Sequence, residues 1–309
     1  MLYLTTRSKT DSFTAHRVLH SDVPQCGGFF VPLRLPEFTN EDFISFKDAS
    51  FAENVARILN LFFGTSVSGW DIDFAVGRYA VKLVHMSHRI FVLETWHNHD
   101  ADHSCYLNRL YRLFVGDMDS ATKPGHWFAT AVDIALLFAV FGQLLKRDIS
   151  QFNVAFPSGD LQKLLAVRYA QRMGLPIVVV AIGADEREDI WELVYHGNYS
   201  TKRDKIPDGL EQLIYFQSGH KGVNEFLQIC RRQGNISFEN DTLETFSVGL
   251  FASVVGKSRI QNVVANVKRS CGYDINLDAA CGYAALQDCR VRTTGGLDAV
   301  LFSTNGLEE

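Results

Sequence analysis

No Cys-x-x-Cys pair occurs in this chain of 309 residues, and its six cysteines, Cys26, Cys105, Cys230, Cys271, Cys281 and Cys289, are scattered. That excludes a disulfide-framed scaffold and the paired-cysteine type of zinc site. No block of like charge stands out either: 30 Lys and Arg against 35 Asp and Glu leave a net charge of -5. Composition therefore carries no nucleic-acid footprint. Met1 to Phe13 holds no apolar signal-type core. The longest apolar stretch, Ala129 to Leu145, is broken by Asp133, Gly142 and Gln143 and falls short of the roughly 20 residues of a membrane span. These shortages predict a reduced, cytoplasmic protein with no membrane or nucleic-acid partner. What is present, 47% hydrophobic and 21% charged residues, is enough for one large or two medium domains.

The stretch from Phe152 to Tyr199 reads as one strand–helix–strand unit. Asn153 to Pro157 is a short apolar run that stops at Ser158-Gly159-Asp160, a glycine between two residues suited to helix capping. Leu161, Leu164, Leu165, Arg168, Tyr169 and Arg172 then recur at helical spacing, Gly174 closes the helix, and Pro176 bars its continuation. Ile177 to Ile182 is uninterrupted and apolar, as in a strand buried on both faces of a parallel sheet. A glycine turn at the carboxyl end of a strand aims backbone N–H groups and a helix dipole at one spot. An anion fits there, although most such turns bind nothing.

Pro157-Ser158-Gly159-Asp160-Leu161-Gln162, continuing to Met173-Gly174-Leu175-Pro176, resembles the segment of threonine synthases in which a Pro-Thr-Gly-Asn-Phe-Gly loop cradles the phosphate of pyridoxal phosphate. Asp189-Ile190-Trp191 through His196-Gly197-Asn198-Tyr199 is similar to the family's next helix and its Thr-Gly-x-Tyr turn. Near the amino terminus, Thr5-Thr6-Arg7-Ser8 and Cys26-Gly27-Gly28-Phe29-Phe30-Val31-Pro32 resemble the family's Ser-Thr-Arg-Gly and Asp-Gly-Gly-Leu-Phe-Val-Pro, with Cys26 for the Asp and Ser8 for the Gly. The resemblance implies an α/β fold: a doubly wound, mostly parallel sheet with flanking helices, like the large domain of tryptophan synthase β-like pyridoxal enzymes. Strands are expected around 91–94, 153–157, 177–182 and 299–303. A helix over Phe51 to Phe62, capped at Asp48 or Ser50 and ended by Gly64, packs on the core.

The framework matches the family, whereas the chemical positions depart from it. Glu94-Thr95-Trp96-His97-Asn98 matches the family's strand end, but Tyr106-Leu107-Asn108 stands where Phe-Lys-Asp carries the Schiff-base lysine. Leu107 has no amine for an imine or a proton shuttle. Gly272-Tyr273 through Gly282 is similar to Gly-Tyr-x-x-Asp-Pro-His-Thr-Ala-Val-Gly, whose threonine bonds the pyridine nitrogen. Here Asp278 takes the histidine position and Ala279 the threonine position, so the hydroxyl is gone. In the phosphate turn, Asp160 replaces a neutral Asn and sets two negative charges together, costing about 1 to 4 kcal/mol at about 4 Å. Gln162 replaces a glycine and crowds the approach. No Thr-Ser-Gly-Asp-Thr-Gly occurs, and only Val115 to Met118 lies where the family inserts a second domain.

These residues imply two regions, 1–90 as an N-terminal threonine-synthase-like part and 91–309 as the α/β core, with the second domain absent near 115–119. The expected function is a threonine synthase-like protein without that activity, binding a small anionic metabolite or another protein. The vestigial phosphate site is Ser158, Gly159, Asp160 and Leu161, and the vestigial ring positions are Leu107, Asp278 and Ala279. No catalytic residue and no cofactor are assigned, with pyridoxal phosphate left as a weak alternative in which Lys123 or Lys47 takes the lysine's part. A third reading is a metal-dependent enzyme built on the loop from His97 to Cys105, with His97, His99 and His103 as ligands. A homodimer or a partner covering the surface left by the missing domain is also implied.

Overall fold

The computed structural model describes residues 1–21, 24–25, 27–95, 103–123, 125–157, 161–184, 190–200, 209–232, 234–293 and 297–303. At the amino terminus, β1 (Leu2–Thr5), β2 (Phe13–Thr14) and β3 (Phe30–Pro32) form a small antiparallel sheet in the order β2-β1-β3, with α1 (Ala15–Leu19) between the last two in sequence. Three helices follow: α2 (Asn40–Asp48), α3 (Phe51–Phe63) and α4 (Gly69–Val76). Each opens with a capping box, Thr39 with Asp42, Ser50 with Glu53 and Ser68 with Asp71. Ser50, not Asp48, caps α3, and Gly64 ends it with φ 67°. In a box of this kind the hydroxyl and the acid three residues on satisfy two otherwise orphaned N–H groups.

The remainder runs β4 (Lys82–Ser87), β5 (Ile90–Glu94), α5 (His103–Val115), α6 (Trp127–Leu145), β6 (Phe152–Pro157), α7 (Leu161–Arg172), β7 (Ile177–Ala184) and α8 (Ile190–His196). Next come β8 (Asn198–Ser200), α9 (Leu210–Arg231), β9 (Asn235–Ser237), α10 (Asn240–Ser247), β10 (Leu250–Val254), α11 (Lys257–Cys271), α12 (Leu277–Thr293) and β11 (Ala299–Ser303). Six of these strands make the central sheet, in the order β10-β7-β6-β11-β5-β4. All neighbours are parallel except β4, which pairs antiparallel with β5. The four strands expected from the sequence are in it, together with the two edges β10 and β4. Both edges are only partly buried, so neither shows the continuous apolar run of a central strand.

Alternate residues of the central strands serve two cores. Phe91, Leu93, Val154, Phe156, Val180, Ile182, Val300 and Phe302 face one side, packed with α3, α6 and α7. Ala155, Ala181, Ala299 and Leu301 face the other, against α12. The second face is made of small residues, and α12 answers with Ala279, Ala280, Ala284 and Ala285, all buried. Small on small lets helix and sheet approach closely. A Cβ on Gly282 would lie 2.9 Å from the Phe156 nitrogen, and one on Gly183 would lie 2.5 Å from the Cys281 carbonyl oxygen.

Helix α6 is the centre of the other layer. Its 19 residues are long and apolar enough to cross a membrane, but the helix is largely buried inside the protein. A helix that is apolar all round needs cover on all sides. It packs against α2, α3, α5 and α7, with Phe38, Phe43 and Phe46 clustered on Phe138. Helix α9 is two helical segments joined across a kink at Gly219, which has φ 61° and ψ -156°. Between α5 and α6, residues 116–126 carry no helix or strand among the described residues. That connection is tied back onto α5: Thr122 donates from its N–H (3.0 Å) and hydroxyl (3.1 Å) to Asn108 Oδ1, and Arg112 Nε donates to the Ser120 carbonyl (3.0 Å).

Candidate functional site

In parallel sheets ligands lie beyond the carboxyl ends of the strands, where the direction of strand succession reverses. Here β11 is inserted between β5 and β6, so the reversal falls at Glu94, Ser303 and Pro157. Thr95, buried, donates from both its N–H (3.0 Å) and its hydroxyl (3.1 Å) to the Ser303 carbonyl. Tyr273, from the segment before α12, donates its hydroxyl to Glu94 Oε1 at 2.6 Å. Burial, and then the bond to Glu94, push the Tyr273 phenol well above its ordinary pKa. It therefore stays a donor, locking the 272–276 segment to the end of β5.

The halves of the amino-terminal motif meet beside this edge. Thr6 Oγ1 accepts from the Phe29 N–H (3.0 Å) and donates to Glu211 Oε1. Arg7 grips the same carboxylate with Nε (3.0 Å) and Nη2 (2.6 Å). Gly28 is required by this crossing, since it has φ +79° and a Cβ there would sit 2.4 Å from Thr6 Oγ1. His220 Nε2 lies 3.1 Å from the Thr5 carbonyl and 2.9 Å from that of Ser8. Two carbonyl acceptors require that nitrogen to carry a proton. The start of α9 in turn abuts the start of α7, because a Cβ on Gly209 would be 2.9 Å from the Gln162 nitrogen.

Of the residues singled out for the phosphate turn, Ser158, Gly159 and Asp160 lie outside the described residues, and Leu161 begins α7 and is buried. Leu107 is on α5 and 9% exposed. One turn before it, His103 Nε2 is 3.4 Å from Asp133 Oδ1. One turn after it, the Tyr111 ring stands edge-on to His126, with centroids 5.4 Å apart. These contacts run α5 antiparallel along α6 and leave Leu107 opposite the stretch of α6 that contains Thr130. Gln162 Nε2 reaches the Thr130 hydroxyl at 3.2 Å. The first turn of α7 and Leu107 thus converge on one part of α6. Asp278 is half-buried in the first turn of α12, and Ala279 is buried, its N–H donating to Asn276 Oδ1 at 2.8 Å.

The other candidates are dispersed. Lys47 pairs with Asp148 (3.3 Å) just after the carboxyl end of α6, at the opposite edge of the sheet, and Lys123 is exposed in the α5–α6 connection. His97 and His99 lie outside the described residues. His103 has Asp133 as its acidic neighbour, and no group of three metal-ligating side chains occurs among the described residues. A residue that sequence reading passed over is Lys163, only 5% exposed in the first turn of α7. Helical side chains lean toward the amino terminus of their helix, so Lys163 leans toward the start of α7. Its signal in the sequence was a lysine three residues past Asp160, on a helix with hydrophobic neighbours.

These features define an α/β protein of the class to which the fold-type II pyridoxal-phosphate enzymes belong. Residues 2–78 match the family model described as the threonine synthase N terminus. The pyridoxal-phosphate-bound threonine synthase of Brucella melitensis superposes with a TM-score of 0.84 at 16% identity, covering 99% of this chain and 88% of that one. The yeast threonine synthase gives 0.83 at 14% identity, covering 98% and 87%. The Escherichia coli threonine synthase gives 0.75 at 14% identity, covering 99% and 88%. No curated protein matches the chain in sequence. The chain is threonine synthase-like, in fold throughout and in sequence over its N-terminal region.

The Brucella protein holds pyridoxal phosphate. At the positions that the sequence resemblance sets against the cofactor ring, this chain presents a buried Leu107 and a buried Ala279. One has no amine and the other no hydroxyl, and the Ala279 N–H is already bonded to its own helix cap. These residues do not fit the ring.

Proposed function

We propose that this chain is a threonine synthase-like scaffold that binds a small anion at the carboxyl edge of its sheet without performing pyridoxal chemistry. The observation that carries the reading is Leu107, an apolar side chain packed between the His103–Asp133 and Tyr111–His126 contacts, where the resemblance requires a reactive amine. The amino termini of α6 and α7 approach one another through the Gln162–Thr130 bond, and α9 starts against Gln162. Converging helix amino termini favour negative charge. The second domain of the family is, in this reading, absent near 115–119, and a second copy or a partner covers the surface it leaves. Superposition on the Brucella enzyme tests this last point. One long unmatched stretch of that enzyme between the equivalents of Val115 and Trp127 is expected, and evenly spread matched residues would contradict it.

Binding is tested with inorganic phosphate as the probe. By the sequence resemblance Asp160 stands where the family's phosphate loop has a neutral Asn, so Asp160→Asn is expected to tighten binding about tenfold, at the lower end of the about 1 to 4 kcal/mol of removed repulsion. Calorimetric titration of wild type and variant measures it. Equal affinities, or weaker binding by the variant, would place the anion elsewhere.

A further inference from the structure

A cavity lies away from the strand ends, between the segment Pro32 to Glu37, the end of α7 and α9. Its volume is about 360 Å³, within the range of small-ligand pockets. Arg34 and Arg172 line it, and neither guanidinium has a hydrogen-bond or ion-pair partner among the described residues. The Arg172 guanidinium sits over Phe216, its central carbon 3.8 Å from the ring centroid. That stacking holds the group in place and leaves its N–H edges for an acceptor.

Tyr169 and Tyr215 add two phenols. Tyr169 is 3% exposed and lines the cavity, and its hydroxyl has no hydrogen-bond partner among the described residues. Its ring is fixed edge-on against Trp127 (5.3 Å) and Phe216 (5.1 Å). Burial raises the Tyr169 pKa, Tyr215 adds to the rise and Arg172 opposes it, so the three groups lie within one another's field. Glu37 is the single carboxylate of the lining and is also unpaired among the described residues. The cavity therefore offers guanidinium and phenol donors to an anion, an aromatic wall to a flat ring, and one acceptor to a donor group on the ligand.

We propose that this cavity binds a planar aromatic ligand with one anionic group and an amino substituent, the anion held by Arg34, Arg172 and the Tyr169 hydroxyl and the amino group by Glu37. A nucleoside monophosphate and an aminoaryl carboxylate share this chemistry. Calorimetric titration of the full chain with adenosine 5′-monophosphate, 4-aminobenzoate and adenosine separates them. At least one of the two anions is expected to bind saturably, and the stronger one identifies phosphate or carboxylate as the group recognised. If it is the nucleotide, adenosine binds at least about tenfold more weakly. Loss of a charge-assisted contact in Arg172→Ala or Arg34→Ala is expected to weaken binding about tenfold. Tyr169→Phe, which keeps the ring and removes only the hydroxyl, should weaken it about fivefold. Failure of both anions to bind at millimolar concentration overturns the proposal. So does binding that Arg34→Ala and Arg172→Ala leave unchanged, since it would belong to another site, including the strand ends.

Discussion

Arg7→Ala is expected to cost this protein about 3 kcal/mol of stability. The reason is its partner: Glu211 is 4% exposed, and its carboxylate is held by Arg7 through two hydrogen bonds and by the Thr6 hydroxyl. Removing one member of a buried pair leaves an uncompensated charge, which costs about 3 to 5 kcal/mol. The lower end applies because the Arg7 side chain is 36% exposed and water reaches part of the site. Urea denaturation should show a lower midpoint with an unchanged slope. Adding Glu211→Gln should restore much of the loss, because a neutral amide needs no counter-charge. A shift within the about 0.5 kcal/mol of an ordinary surface substitution, or no rescue by the second change, would mean that the pair does not hold the amino-terminal sheet to α9.

Gly282→Ala is expected to destabilise by about 1 to 3 kcal/mol through overpacking. The new methyl would sit 2.9 Å from the Phe156 nitrogen and 3.0 Å from its Cα. Those atoms belong to the backbone of a central strand and cannot rotate away, so α12 must move off the sheet. Gly183→Ala meets the Cys281 carbonyl from the opposite side, and because both changes displace the same helix, the double variant should lose less than the sum. Gly272→Ala is the control. Gly272 has φ +65° and open space around it, so only the left-handed backbone conformation is penalised, by about 1 kcal/mol. Thermal unfolding measures all four. A Gly282→Ala protein as stable as wild type would show that α12 does not pack in the close register described.

The central strands were legible because burial on both faces removes polar alternation and leaves continuous runs such as Ile177 to Ile182. The helix over Phe51 to Phe63 was legible from its cap and its terminal glycine. The edges β4 and β10 were not, since their half-exposed residues look like loop. Helix α11 also passed unread, with only Val263 and Val267 buried among its 15 residues. The pairing of Thr6 and Arg7 with Glu211 joins residues 204 and 205 positions apart, which no local pattern announces. At the candidate site, the sequence pointed to the strand ends and to Leu107, but the burial of Lys163 and the neighbourhood of His103 and Asp133 required the three-dimensional packing of α5, α6 and α7.

Lys163 gives the central claim its sharpest test, because a buried amine in the first turn of α7 is the group best placed to take over from a missing lysine. The purified full chain is incubated with pyridoxal phosphate, reduced with borohydride, digested and analysed by peptide mass. With Leu107 at the reactive position, the prediction is no stoichiometric pyridoxyl adduct on any single lysine, only trace labelling spread over exposed lysines such as Lys47 and Lys123. One adduct per chain, fixed on Lys163 or any other single residue, would contradict the account and show that the amine has moved within the scaffold instead of being lost.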